Sequence, residues 1–250
     1  MRRAALILAC CAALAARASE TGRDLLREAR EAEARLDSRQ ALELYLRLQA
    51  ESPGDASIAQ KIARQYSDLI VDQSSVAEKK RHALAALEWS ERAARLNPAD
   101  AVNVLSVAIS QGQLATHSDT RTKVEFSRLV KEEAERALAL DPGYAWAHHV
   151  LGRWHREVAD LGATARVFVR LFYGALPPAS VGEAVSHLER AVALEPTELN
   201  HWLELGFARA AAGQRDQARA AWEHGLAMPS RGKHDEPAKQ RARAALAKLE

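Results

Sequence analysis

Four side chains on one short segment carry the most distinctive chemistry in this 250-residue chain. Trp146, His149, Arg153 and Arg156 recur at spacings of three or four, so on a helix they share one stripe. One aromatic ring beside three possible cations suits a carboxylate or phosphate held by guanidinium forks. The plainer alternative is a solvated basic face partly paired with glutamates. His148 and His155 lie two turns apart, a possible metal geometry, but no nearby Asp, Glu or Cys completes a compact set. Packed or surface histidines are therefore expected, and no metal. HExxH, Walker, GxSxG and dinucleotide-binding motifs are absent from the sequence, and Gly22, Gly54 and Gly112 are isolated rather than gathered into a phosphate cradle. The residues predict a non-enzymatic binding protein with no cofactor.

A second segment is conspicuous for its apolar content. Between Ala165 and Tyr173, Val167, Phe168, Leu171 and Phe172 make more than one helix face apolar. Packing on neighbouring helices is the expectation. A dimer contact or a tunnel for an acyl chain are the alternatives.

The elements that position these residues are helices. Ala, Leu, Glu and Arg dominate, aromatics make up only 5%, and no run of alternating β-branched residues appears. Internal repetition then organises the helices. Five times a helical segment runs into a proline just past its end, at Pro53, Pro98, Pro142, Pro196 and Pro229. The segments before them read small, three residues, large, two residues, small, four residues, proline, most clearly in Ala184, Leu188, Ala191 and Pro196. Alanines at this spacing let a second helix approach closely, and proline ends the hydrogen-bond ladder. Trp202, Leu205 and Gly206 add W-x2-L-G, followed by Ala218 and Trp222, while His148, Leu151 and Gly152 hold the same places one repeat earlier. The pattern resembles the tetratricopeptide repeat.

The fold expected is an all-α, tetratricopeptide-type α-solenoid of about five helix pairs plus a capping helix. The pairs are placed near 21–36 and 39–51, 56–73 and 77–96, 100–115 and 121–140, 144–173 and 181–195, and 198–212 and 215–228. A helix near 236–249 presents a polar outer side and caps the stack. Gly152 to Ala184 holds about 20 residues more than the usual spacing, so a hydrophobic-basic insert is placed near 158–179, with Ser180 and Glu183 as a capping box. Trp89, Trp202 and Trp222 are read as core.

The first 18 residues are set apart. Arg2 and Arg3 precede an uncharged apolar run from Ala4 to Ala16, and Ala16-Arg17-Ala18 suits a signal peptidase. Cleavage near Ala18 and a periplasmic or secreted location are expected for the repeat domain over 19–250, with lipid anchoring through Cys10 or Cys11 as the alternative. Cleavage removes both cysteines and three arginines, so 35 basic residues become 32 against 33 acidic ones, a net charge of −1. A near-neutral chain gives no reason to expect a nucleic-acid partner.

From about Val124 onward the chain also resembles the regulator of microtubule dynamics proteins. The matching stretches are Lys131 through Ala137, Asp141-Pro142, Leu151-Gly152-Arg153-Trp154, the insert ending Leu176-Pro177-Pro178-Ala179-Ser180, and Ala184 through Pro196. The resemblance implies the repeat fold and, weakly, apolar or lipid ligands. With an export signal in front, no microtubule partner is expected. The function expected is a scaffold whose concave face, at Trp146, His149, Arg153 and Arg156, receives a protein or peptide. A lipid or acyl-chain carrier built on Val167, Phe168, Leu171 and Phe172 is the alternative.

Overall fold

A computed structural model describes residues 22–249, so the segment read as an export signal, with Cys10 and Cys11, lies outside the described residues. The described residues form twelve helices and no strand. α1 covers 22–34. It is followed by α2 (Ser38–Glu51), α3 (Ala56–Val71), α4 (Val76–Leu96), α5 (Ala101–Thr116) and α6 (Thr120–Leu140). Then come α7 (Ala145–Ala159), α8 (Ala163–Tyr173), α9 (Val181–Leu194), α10 (Leu199–Ala211), α11 (Arg215–Ala227) and α12 (Asp235–Leu246).

Local sequence sets the boundaries. Asp37, Asp55, Ser75, Asp100, Asp119 and Ser180 each accept from a backbone N–H in the first turn of the helix that follows. Such caps contribute about 1 kcal/mol apiece by meeting donors that have no partner within the helix. At the other ends the prolines do more than stop the ladder. The Pro53 carbonyl accepts from Arg92, and that of Pro98 from Arg136, both on the second helix of the next pair. The Pro142 carbonyl lies 3.2 Å from the His148 Nε2, and the Pro196 carbonyl accepts from the Trp202 indole at 2.9 Å. Each turn is thereby tied to the repeat that follows it.

One expected element divides in two. The single helix placed over 144–173 is broken after Ala159, where Asp160, Leu161 and Gly162 turn the chain and Gly162 caps a separate α8. Pairing therefore runs α1/α2, where Leu25, Ala29 and Ala32 share a core with Ala41 and Tyr45, then α3/α4, α5/α6, α7/α9 and α10/α11, with α8 inserted and α12 closing the array.

Close approach between paired helices depends on small residues. Ala41, Ala86, Ala137, Ala184 and Ala218 are all completely buried. A methyl group at Gly152 would sit 2.6 Å from the Leu188 Cγ, and one at Gly206 only 2.3 Å from the Trp222 Cδ1. Glycine in the W-x2-L-G motif is thus a packing requirement: it admits the Trp222 ring, whose indole N–H donates to the Leu203 carbonyl at 3.1 Å. Trp222 is buried, whereas Trp89 and Trp202 pack on the core while keeping an exposed edge.

The first helices of the pairs form one layer, α3 against α5, α5 against α7, α7 against α10 and α10 against α12. That layer curls. Lys233, just ahead of α12, reaches both carboxylate oxygens of Asp72 at 3.0 Å, and His234 Nε2 lies 3.2 Å from Asp68. Residues 161 apart in sequence meet there, so the end of α3 and the start of α12 are brought together by the curl. α5, inside the curl, is buried nearly all round.

Candidate functional site

The stripe read from α7 does lie on the inner layer, but its members have different surroundings. Trp146 is half-buried and packs against both the His149 ring and the His201 ring, with centroids 5.0 and 4.8 Å away. His149 is buried, its Nδ1 3.0 Å from the Nδ1 of His201 on α10. With those nitrogens 3.0 Å apart, one imidazole must donate its N–H to the other, and burial disfavours charge on either ring. Burial lowers the His149 pKa to about 4. Burial, with His149 as its neighbour, lowers that of His201 to about 3. The face of α7 nearest Trp146 is therefore apolar and neutral at pH 7.

One turn further along, the charge gathers. Glu204 on α10 is only 3% exposed at its side chain, and it accepts from Arg241 of α12 at 2.8 Å and from Arg156 of α7 at 3.3 Å. Burial alone would raise this carboxyl. The guanidiniums of Arg153, Arg156 and Arg241 outweigh it and hold the Glu204 pKa at about 2. Arg153 donates to Glu157 at 2.7 Å. The Phe207 ring lies beneath both Arg156 and Arg241, 5.7 and 5.4 Å from its centroid. Three guanidiniums thus face two carboxylates, leaving a local excess of one positive charge. Arg153 and Arg241 keep 45% and 46% of their side-chain surface in solvent, so each retains N–H groups for an incoming acceptor. Arg156 is held inward, at 17%.

Reasoning from one helix misses Glu204, His201, Phe207 and Arg241. Aligning α10 on α7 through their shared Leu-Gly pairs is the signal available, since it puts Phe207 at the place of Arg153. The polar outer side expected of the last helix is corrected at two positions. Arg241 turns inward to Glu204, and Lys239 is buried with its ammonium on the Met228 carbonyl.

His148 and His155 are not a pair in space. Each meets His187 of α9, the first with Nδ1 atoms 3.0 Å apart and the second by stacking at 5.7 Å. Among the described residues no group of three His, Cys, Asp or Glu is placed to hold a metal ion. Val167, Phe168, Leu171 and Phe172 are between 47% and 74% exposed, so these four side chains enclose no tunnel. The expected packing on neighbouring helices is limited to Val169, the one buried residue of α8.

The same architecture recurs among known proteins. The family model of regulator of microtubule dynamics protein 1-3 matches residues 25–250. The chain belongs to the regulator of microtubule dynamics family. It is 33% identical over 151 residues to regulator of microtubule dynamics protein 3 of Xenopus laevis, covering 60% of this chain and 31% of that one. With protein 1 of Bos taurus it shares 27% over 143 residues, 57% of this chain and 45% of the relative. It therefore spans less than half the length of these curated relatives. In structure it is similar to TTC0263, a thermophilic TPR protein of Thermus thermophilus, with a TM-score of 0.63 at 18% identity over 91% of this chain and 98% of that one. This member of the family thus has the tetratricopeptide-type solenoid fold.

Proposed function

We propose that the protein is a non-catalytic scaffold that holds an acidic segment of a protein partner on the inner face formed by α7, α10 and α12. The observation that carries this reading is the Arg153–Arg156–Arg241 cluster, three guanidiniums around one buried carboxylate with two of them half in solvent. Glu204 fixes the geometry and leaves Arg153 and Arg241 as forks for a further carboxylate. Phe207, beneath Arg156 and Arg241, supplies an apolar floor. Curled helical-repeat layers present such faces to extended peptides. Within this site the groups able to do acid–base chemistry are engaged otherwise: His149 and His201 are bonded to each other, and Glu204 is locked in ion pairs.

Export after cleavage near Ala18 is proposed with it, and sequencing the N-terminus of the protein secreted or released from the periplasm tests that part. The binding claim is tested with a fluorescent peptide library. Peptides rich in Asp and Glu should be selected, their affinity should fall with salt, and Arg153→Glu should weaken them by about tenfold, the 1.4 kcal/mol expected of a charge-assisted contact. Selection indifferent to acidic content, or unchanged affinity in Arg153→Glu, overturns the assignment.

A further inference from the structure

We infer that α8 is a docking helix for the surface of an anionic lipid bilayer. This goes beyond the scaffold reading and rests on different residues. α8 has 11 residues and only Val169 is buried. Val167, Phe168, Leu171 and Phe172 cover the side turned away from the body at 58%, 47%, 74% and 65% exposure. Phe168 and Phe172 pack on each other, with centroids 4.7 Å apart, so they form one continuous apolar surface. A soluble protein rarely leaves such a surface in water unless something covers it.

Charge decides what covers it. Arg166 and Arg170 flank the apolar face, and from Leu161 to Gly182 there is no Asp or Glu. A second copy placed on α8 would bring four arginines together with no acid in the segment to meet them. The footprint is also small, roughly 16 by 10 Å for this length of helix, far below the ~800 Å² per partner of a stable protein interface. A bilayer needs no matching shape, takes up exposed phenylalanine and leucine at the level of its head groups, and supplies the negative charge.

The mounting fits a helix that is presented rather than packed. Arg128 of α6 donates to the carbonyls of Tyr173, Gly174 and Ala175, at 2.6, 2.8 and 3.2 Å, closing the C-terminal end of α8. Arg166 holds the other end by donating to the Ala159 carbonyl. Among the described residues no helix is long and apolar enough to cross a membrane, so α8 would lie in the interface.

Flotation with vesicles tests this. Two preparations are used, phosphatidylcholine alone and phosphatidylcholine with about one-third phosphatidylserine. The expected result is binding to the anionic vesicles at least tenfold stronger than to the neutral ones, reduced by salt and lost in Leu171→Glu with Phe172→Glu. Because both residues are mostly exposed, that variant should keep the wild-type circular dichroism and melting temperature. Arg170→Glu should cut binding to anionic vesicles severalfold without affecting the fold. Absence of wild-type binding, or retention of binding in the double variant, overturns the inference. So does sedimentation showing a wild-type dimer that the double variant dissolves, since the face would then belong to a second copy. Peptide binding through Arg153 should be unchanged in both variants.

Discussion

Acidification from pH 7.5 to 5 should cost this protein a large part of its stability, and the His149–His201 contact is the main reason. In the folded chain burial holds these two rings at pKa values of about 4 and about 3, whereas unfolded histidine titrates near 6.5. As pH falls below about 6.5 the unfolded chain takes up protons first, so stability is complete above that pH and is lost down to the folded values. At pH 5 an unfolded histidine is about 1.5 units below its pKa. At about 1.4 kcal/mol per unit, each ring then contributes a loss of about 2 kcal/mol. The two together lose about 2–4 kcal/mol, the lower figure applying if the touching rings titrate as one. Burial lowers His148, His155 and His187 as well, which adds loss in the same direction. A domain holds only about 5–15 kcal/mol in all. Urea unfolding followed by circular dichroism at pH 7.5, 6 and 5 measures the effect directly. The midpoint should fall steadily at unchanged slope, and His149→Asn, weaker at pH 7.5, should show a shallower decline. A midpoint constant from pH 7.5 to 5, or an imidazole signal from His149 titrating near 6.5, would refute the reasoning.

Further consequences concern packing and the arginine cluster. Gly206→Ala places a methyl inside the Trp222 ring, so it should destabilise by about 1–3 kcal/mol in a thermal melt, while Gly54→Ala, with nothing near it, should not. Arg156→Glu sets a second carboxylate against buried Glu204 and should cost about 3–5 kcal/mol, a fall in melting temperature on the order of 10 °C. Arg153→Glu also removes an attraction on Glu204, but from a half-exposed position with no direct hydrogen bond to it, so it should lower the melting temperature by less than Arg156→Glu does, and a larger fall would place Glu204 wrongly. Asp68→Asn with Asp72→Asn should release the contact to Lys233 and His234. The radius of gyration from small-angle scattering should then rise, and an unchanged value would mean that helix packing alone sets the curl.

Much of the fold was legible because it is written in short-range pattern. Five alanines at matching places, the prolines after them and the tryptophan-leucine-glycine motif each report a contact made within one or two helices. The break in the inserted segment was not legible for a related reason: Ala159 through Ala165 includes good helix formers and no proline. Only Asp160 and Gly162 mark the turn, and both also occur inside helices. The candidate site was half visible. Its α7 stripe follows from spacing, but what each member does depends on α10 and α12. Arg156 changes from a free cation to a buried strut because Glu204 lies 48 positions away, and His149 changes from a groove residue to a core residue because His201 lies 52 away. The contact between Asp72 and Lys233 depends on the summed curvature of every repeat between them, which no local pattern records.

A partner seated on the inner face of α7, α10 and α12 is the central claim. Backbone amide spectra of the isotope-labelled protein, recorded while an acidic peptide is added, test it directly. Shifts concentrated around Arg153, Phe207 and Arg241, and suppressed in Arg153→Glu, are the predicted result. Shifts confined to the outer helices α9 and α11, or spread evenly over the chain, would contradict it.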